Sequence, residues 1–260
     1  MIRDTVKQKI KFSIVILLIV VAISFAIFTV MKYQVEGEKV VPFKLGKVII
    51  ISSASTTAES NENVETTEGT ENAPAENYLW NEKVVQTNDV YIYIDKNQDY
   101  KKEQIIKSVK IENIQILENV KLGKIQVYMP NSLDDGLYKY ADEYLVNSTL
   151  TYTGASADNK KTLEIGNQGG CICISFANMG LGNYKSNDDQ EIEQGASILQ
   201  KMNIANEDLK FKVSFDLVIE VDDKSYKTNM VMDLPIDELV GQKETHKEIT
   251  DFKDVIFKRL

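Results

Sequence analysis

Residues Phe12 to Met31 run for twenty positions without one charged side chain, and Arg3, Lys7, Lys9 and Lys11 precede them. A helix rises about 1.5 Å per residue, so this run reaches about 30 Å, the thickness of a bilayer's hydrocarbon core. Lipid offers no partner to a bare amide, so a run this rich in Ile, Val, Leu and Phe is expected to cross as one continuous helix. Neither Pro nor Gly interrupts it. Whatever follows must then fold on one side of a membrane.

A cleavable leader has a shorter apolar core followed by small residues. Ser24-Phe25-Ala26 imitates a cleavage site, but it lies inside the run with Ile27 and Phe28 after it, so the expectation is an uncleaved anchor. No cysteine follows the run to accept a lipid. Orientation follows from Lys and Arg near the ends of the span. The N-terminal tail sets four of them against Asp4, whereas Lys32 is followed by Glu36 and Glu38. The expected topology is a cytoplasmic tail at 1–11, a transmembrane helix at 12–31, and an extracytoplasmic domain at 32–260 outside a plasma membrane. Ala22 and Ala26 form a small-xxx-small pair of the kind that packs helices together, but alanine is also ordinary filler in a lipid-facing helix, and filler is the reading adopted.

Of the 30 basic and 39 acidic residues, 26 and 38 lie beyond the tail, a net charge of −12. That is the wrong sign for nucleic acid or anionic lipid headgroups. Arginine occurs only at Arg3 and Arg259, so bidentate forks for phosphate are nearly absent. The roughly 230 residues after the span suffice for one large or two small domains.

Period-two alternation dominates this part. Leu209, Phe211, Val213, Phe215, Leu217, Ile219 and Val221 take the odd positions, with Lys210, Lys212, Ser214, Asp216 and Glu220 between them. Asp222-Asp223-Lys224-Ser225 supplies a turn, and Tyr226, Thr228, Met230, Met232 and Leu234 resume the pattern, predicting an antiparallel hairpin. Shorter strands are predicted at 90–94, 111–117, 124–129, 144–152, 162–165 and 171–176, and an opening strand within 40–51. Strands at such spacing predict a mainly β fold, an antiparallel sandwich or barrel with one or two short helices. One helix is expected from Ile192, Ala196, Leu199 and Met202, with Asp188 and Glu191 in capping-box-like spacing; Ile105, Ile106 and Val109 predict a short helical turn, and 249–260 a final strand. Ser52 to Asn77 is rich in Ser, Thr, Asn, Ala and Glu without a basic residue, and is expected to form a disordered loop inside the domain rather than a stalk.

Few residues carry chemistry. Cys171 and Cys173, two apart, share a face if the segment is a strand; they read as small buried hydrophobes, ahead of a strained disulfide or a metal site that lacks further soft ligands. Asp95-Lys96-Asn97-Gln98-Asp99 resembles the first half of a calcium loop, but Tyr100 stands where Gly is needed and Ile106 where a closing Glu belongs, so a solvated turn is expected. Asn187-Asp188-Asp189 with Glu191 reads as helix capping. His246 is the sole histidine and sits in a polar segment, a poor setting for a nucleophilic triad. Tyr91, Tyr93, Tyr138, Tyr140 and Tyr144 read as strand residues rather than a sugar platform.

No catalytic, cofactor-binding or metal-ligating residue is assigned, and no cofactor is expected. The functional expectation is a non-enzymatic, membrane-anchored module of the cell envelope that binds or scaffolds another envelope protein or a wall polymer. Its rivals are a glycan hydrolase using paired carboxylates, which needs only two well-placed acids, and a component of a transmembrane signalling complex acting through a membrane partner.

Overall fold

A computed structural model describes residues 2–36, 40–58, 78, 80–129, 149–155, 163–187, 197–222 and 224–260. Helix α1 spans Ile2–Glu36, and within it Ile14–Lys32 has a mean hydropathy of 3.1 and no burial against the rest of the chain. This is one helix long and apolar enough to cross a membrane. The Thr29 hydroxyl donates to the Phe25 carbonyl at 2.8 Å, so the polar group at its C-terminal end is satisfied inside the helix.

The other described residues form two sheets packed face to face, antiparallel throughout except for the parallel β5–β6 pair. Strands β1 (Phe43–Ala58) and β2 (Trp80–Lys96) make a long hairpin, paired from Phe43↔Lys96 to Ala58↔Glu82 with a register shift between Leu45 and Lys47. β3 (Ile106–Glu118), β4 (Lys124–Tyr128), β5 (Leu150–Gly154), β6 (Glu164–Ile165), β7 (Gly169–Met179) and β8 (Asn183–Ser186) follow. After the short helices α2 (Ser197–Lys201) and α3 (Asn206–Leu209) come β9 (Phe211–Val221), β10 (Ser225–Leu234), β11 (Glu244–Ile249) and β12 (Lys258–Arg259). The first sheet runs β11-β1-β2-β7-β4, with β8 also on β2; the second runs β12-β10-β9-β3-β5-β6. The β9–β10 hairpin forms as its alternation predicts, Phe211 opposite Leu234 and Glu220 opposite Ser225.

Alternation also places the cores. Val90, Ile92, Ile94, Ile172, Ile174 and Phe176 of the first sheet meet Val109, Ile111, Val213, Phe215, Leu217 and Ile219 of the second. Phe176 and Phe211 close the contact with ring centroids 6.1 Å apart. A second, smaller core lies at the far end of the hairpin, where Ala54 and Val84 pack with Leu181, Ile198, Leu199 and Leu209. Gly180 and Gly182, at φ +78° and +104°, kink the chain between β7 and β8, and this bend turns Leu181 into that core.

Several expectations need correction. Ser52–Ala58 is not loop but the end of β1: its small and β-branched residues suit a strand, the Ser52 hydroxyl donates to Asn88 Oδ1 at 2.7 Å, and the Ser53 and Thr87 hydroxyls meet at 2.8 Å. The rest of that tract, 59–77, lies outside the described residues and joins the two paired strands. The turn expected at Ile105–Val109 is the start of β3, because Ile106, Val109 and Ile111 all enter the main core. Leu209 ends α3 instead of opening β9, yet stays buried, since both conformations direct it inward. The polar segment around His246 is an edge strand, its charges suited to a sheet margin. The final strand shrinks to β12. Ile192 and Ala196 of the predicted helical face, and 144–148 of a predicted strand, lie outside the described residues.

Candidate functional site

Odd positions of β2 point away from the sandwich core and put Asp89, Tyr91 and Tyr93 on the outward face of the first sheet. Their partners on β7 are Ser175, Cys173 and Cys171 in that order. Asp89 is only 3% exposed, and Ser175 donates to its Oδ1 at 2.6 Å. Burial pushes the Asp89 carboxyl from the ordinary 3.8 up to about 6, with the Ser175 hydrogen bond opposing the rise. Burial also pushes the Cys173 thiol well up, a rise to which the neighbouring Asp89 charge adds, and it raises Tyr91 as well.

The backbone of this site is held from the opposite sheet. β4 pairs with β7 only over Ser175–Met179, which leaves the earlier part of that edge without it. The Tyr152 hydroxyl, reaching over from β5, accepts the Cys173 N–H at 2.9 Å and donates to the Cys173 carbonyl at 2.6 Å. One phenol thus does the work of a neighbouring strand and ties the two sheets together. Both cysteines are free, Cys171 exposed and Cys173 buried, so the reading of two buried hydrophobes holds for Cys173 alone.

This arrangement can hold a proton near neutral pH, but it lacks the parts of a nucleophilic machine. The Cys173 thiol stays protonated, and Ser175 donates to a carboxylate with no imidazole at its oxygen. His246 falls in the same cross-strand row, opposite Ile51, which is itself opposite Asp89. Two strand spacings put it about 10 Å away, beyond hydrogen-bond reach.

The second sheet's outward face is organised by two carboxylates of β9. Asp216 accepts from Asn113 Nδ2 at 2.7 Å, Asn229 Nδ2 at 3.0 Å and Lys227 Nζ at 3.1 Å. Burial alone would raise its pKa, yet these three donors hold it below the usual carboxylate range. Glu220 is held low in the same way, against its own burial, by Lys110 and Ser108. Beside Asp216 an open groove of about 480 Å³ runs between β10 and the C-terminal segment, lined by Lys227, Asn229, Asp254, Ile256, Lys258 and Arg259 among others.

The calcium-like turn is tied into the fold through Asn97. Asn97 donates its amide to the Val41 carbonyl (2.9 Å) and accepts the Asp99 N–H at its Oδ1 (3.1 Å). Among the described residues no three His, Cys, Asp or Glu side chains converge as metal ligands. His246 is exposed on β11. Tyr138, Tyr140, Tyr144 and the acidic residues 188–191 lie outside the described residues. Sequence reasoning missed Asp89; its one signal was phase, since it stands two residues before Tyr91 on the face opposite Val90 and Ile92. Comparison with family models, curated proteins and solved structures gives no match for this chain.

Proposed function

We propose that the chain is a single-pass, membrane-anchored module whose β domain lies on the extracytoplasmic side, where it binds or scaffolds another envelope protein or a wall polymer. The observation that carries this reading is the combination of one lipid-length apolar helix with an open groove of mixed lining on the sandwich surface. Confinement to a membrane raises the local concentration of such a groove near neighbouring envelope components, so modest affinity suffices. Lys227, Lys258 and Arg259 offer donors along the groove and Asp254 offers acceptors, while Asn229 and Asp216 are bonded to each other on its wall.

The glycan-hydrolase alternative draws support from Asp89, an acid with a raised pKa. It draws less from the rest of the site, because Asp89 is enclosed and the outward-facing carboxylates Asp216 and Glu220 are already engaged by lysines. The test is photocrosslinking in intact cells from Asn229, with Lys185 on β8 as the control position. Adducts specific to Asn229 support a partner in the groove. Equal or absent adducts at both positions refute it, and protection of the domain from protease added to intact cells refutes the extracytoplasmic placement.

A further inference from the structure

We propose that the end of the sandwich nearest the span is a lipid-contact surface, which seats on the headgroup layer and holds the domain upright. The inference rests on the membrane-anchoring reading, but not on which side of the membrane the domain occupies.

The chain is fastened to the sandwich almost as soon as it leaves the helix. Val41, Pro42 and Phe43 are buried, and Asn97 clamps them by donating its backbone N–H to the Pro42 carbonyl at 2.8 Å and its side chain to Val41. Glu36 to Val41 is five peptide steps, a reach of at most about 18 Å. From Lys32 to Glu36 the helix rises about 6 Å, one headgroup layer. α1 also comes against β12, which places the same end of the sandwich beside it.

At that end lie the start of β1, the 97–105 loop after β2, the 222–225 turn between β9 and β10, and the end of β12, where the Leu260 N–H donates to the Ser225 carbonyl at 2.9 Å. Among the described residues outside α1, six large apolar side chains are exposed, and three of them are here: Val40 at 41%, Ile105 at 38% and Leu260 at 64%. Consecutive exposed Lys101 and Lys102 sit in the same loop as Ile105, with Lys224, Lys258 and Arg259 nearby. Asp99, Glu103 and Asp222 stand among them, and the Asp222 carboxylate accepts the Ile105 N–H at 3.2 Å. The segments 97–105, 222–225 and 258–260 carry five basic side chains against four acidic ones, close to balance on a chain of net charge −9, beside half of those exposed apolar tips. Apolar tips flanked by lysines suit an interface where tails meet headgroups, and the tether makes a weak contact sufficient.

The protein carries its own reference probe. Trp80, the single tryptophan, begins β2, and sixteen strand steps of about 3.3 Å put it about 50 Å from Lys96 at the membrane end. The test uses the full chain in phosphatidylcholine vesicles, with or without phosphatidylglycerol, whose acyl chains are brominated near the carbonyl. Ile105→Trp and Leu260→Trp, made separately, are expected to be quenched while Trp80 of the parent chain is not. Lys101→Gln with Lys102→Gln is expected to lower the docked-to-undocked ratio on the order of fivefold per lysine in the anionic vesicles, and far less in the neutral ones. If neither reporter is quenched in a chain that resists alkaline extraction, the docking is refuted while the anchor stands. If alkali releases the chain, the anchor reading fails and the docking falls with it.

Discussion

Replacing Asp89 with Asn tests the reading that this carboxyl is ionised at a cost. Its pKa rises from 3.8 to about 6 on folding because burial penalises the charge, and at 1.36 kcal/mol per pH unit that rise amounts to about 3 kcal/mol. The sign follows from proton binding. Between about pH 4 and pH 6 the native state holds the proton and the unfolded state has released it, so stability falls as pH rises through that window and levels off above it. Asn is neutral throughout and keeps an oxygen to accept the Ser175 hydroxyl, now bonded at 2.6 Å. Asp89→Asn is therefore expected to match the parent below pH 4 and to exceed its stability by up to about 3 kcal/mol at pH 7.5. Urea unfolding of the detergent-solubilised chain, followed by Trp80 emission and far-UV circular dichroism across pH 4 to 8, measures the difference. A gap that does not change with pH, or an Asn variant weaker at every pH, refutes the assignment of the raised pKa to burial of Asp89.

Tyr152→Phe removes the hydroxyl that serves both backbone groups of Cys173, and leaving these unpaired is expected to cost about 3 kcal/mol in the same unfolding assay; a loss under 1 kcal/mol shows that another group takes them over. Phe215→Ala empties a fully buried ring site between the sheets and is expected to cost about 3–5 kcal/mol, so a smaller loss points to a core that collapses around it. With N-ethylmaleimide at neutral pH, Cys171 is expected to label in the folded protein and Cys173 only after unfolding, because Cys173 is both enclosed and held as a thiol; mass spectrometry of the peptides reads the order, and equal labelling contradicts the burial.

The elements with an unbroken period were legible from the residues. α1 follows from an uncharged run of bilayer length, and β9 and β10 from strict alternation about an Asp-Lys-Ser turn. Segments whose burial depends on what packs against them were not. Ser52–Ala58 has a composition that reads as unstructured chain, yet β2 supplies it a partner at every step and Ala54 fills a core that also draws on Leu181, Leu199 and Leu209. His246 and its charged neighbours read only as a polar segment, because an edge strand needs apolar side chains on neither face. Asp89 escaped notice because Gln86–Asp89 is a polar run buried on both faces of β2, so hydrophobic alternation is silent there.

The two outward faces treat their carboxylates in opposite ways, and the contrast bears on function. Asp216 and Glu220 each receive a lysine and neutral donors, which stabilises the ionised form and explains both lowered pKa values without invoking a ligand. Asp89 receives one hydroxyl and no cation, among neighbours that are themselves hard to ionise. A strand position facing Ser175 gains nothing in folding from such an acid that Asn would not supply, so its presence is a departure from the locally stable choice, of the kind found where a protein does something. The Asp89→Asn variant separates the two explanations. If it gains stability above pH 6 and the chain still forms its Asn229 adducts, the acid belongs to a role apart from the groove; if those adducts vanish from a folded and stabilised protein, the two faces act together.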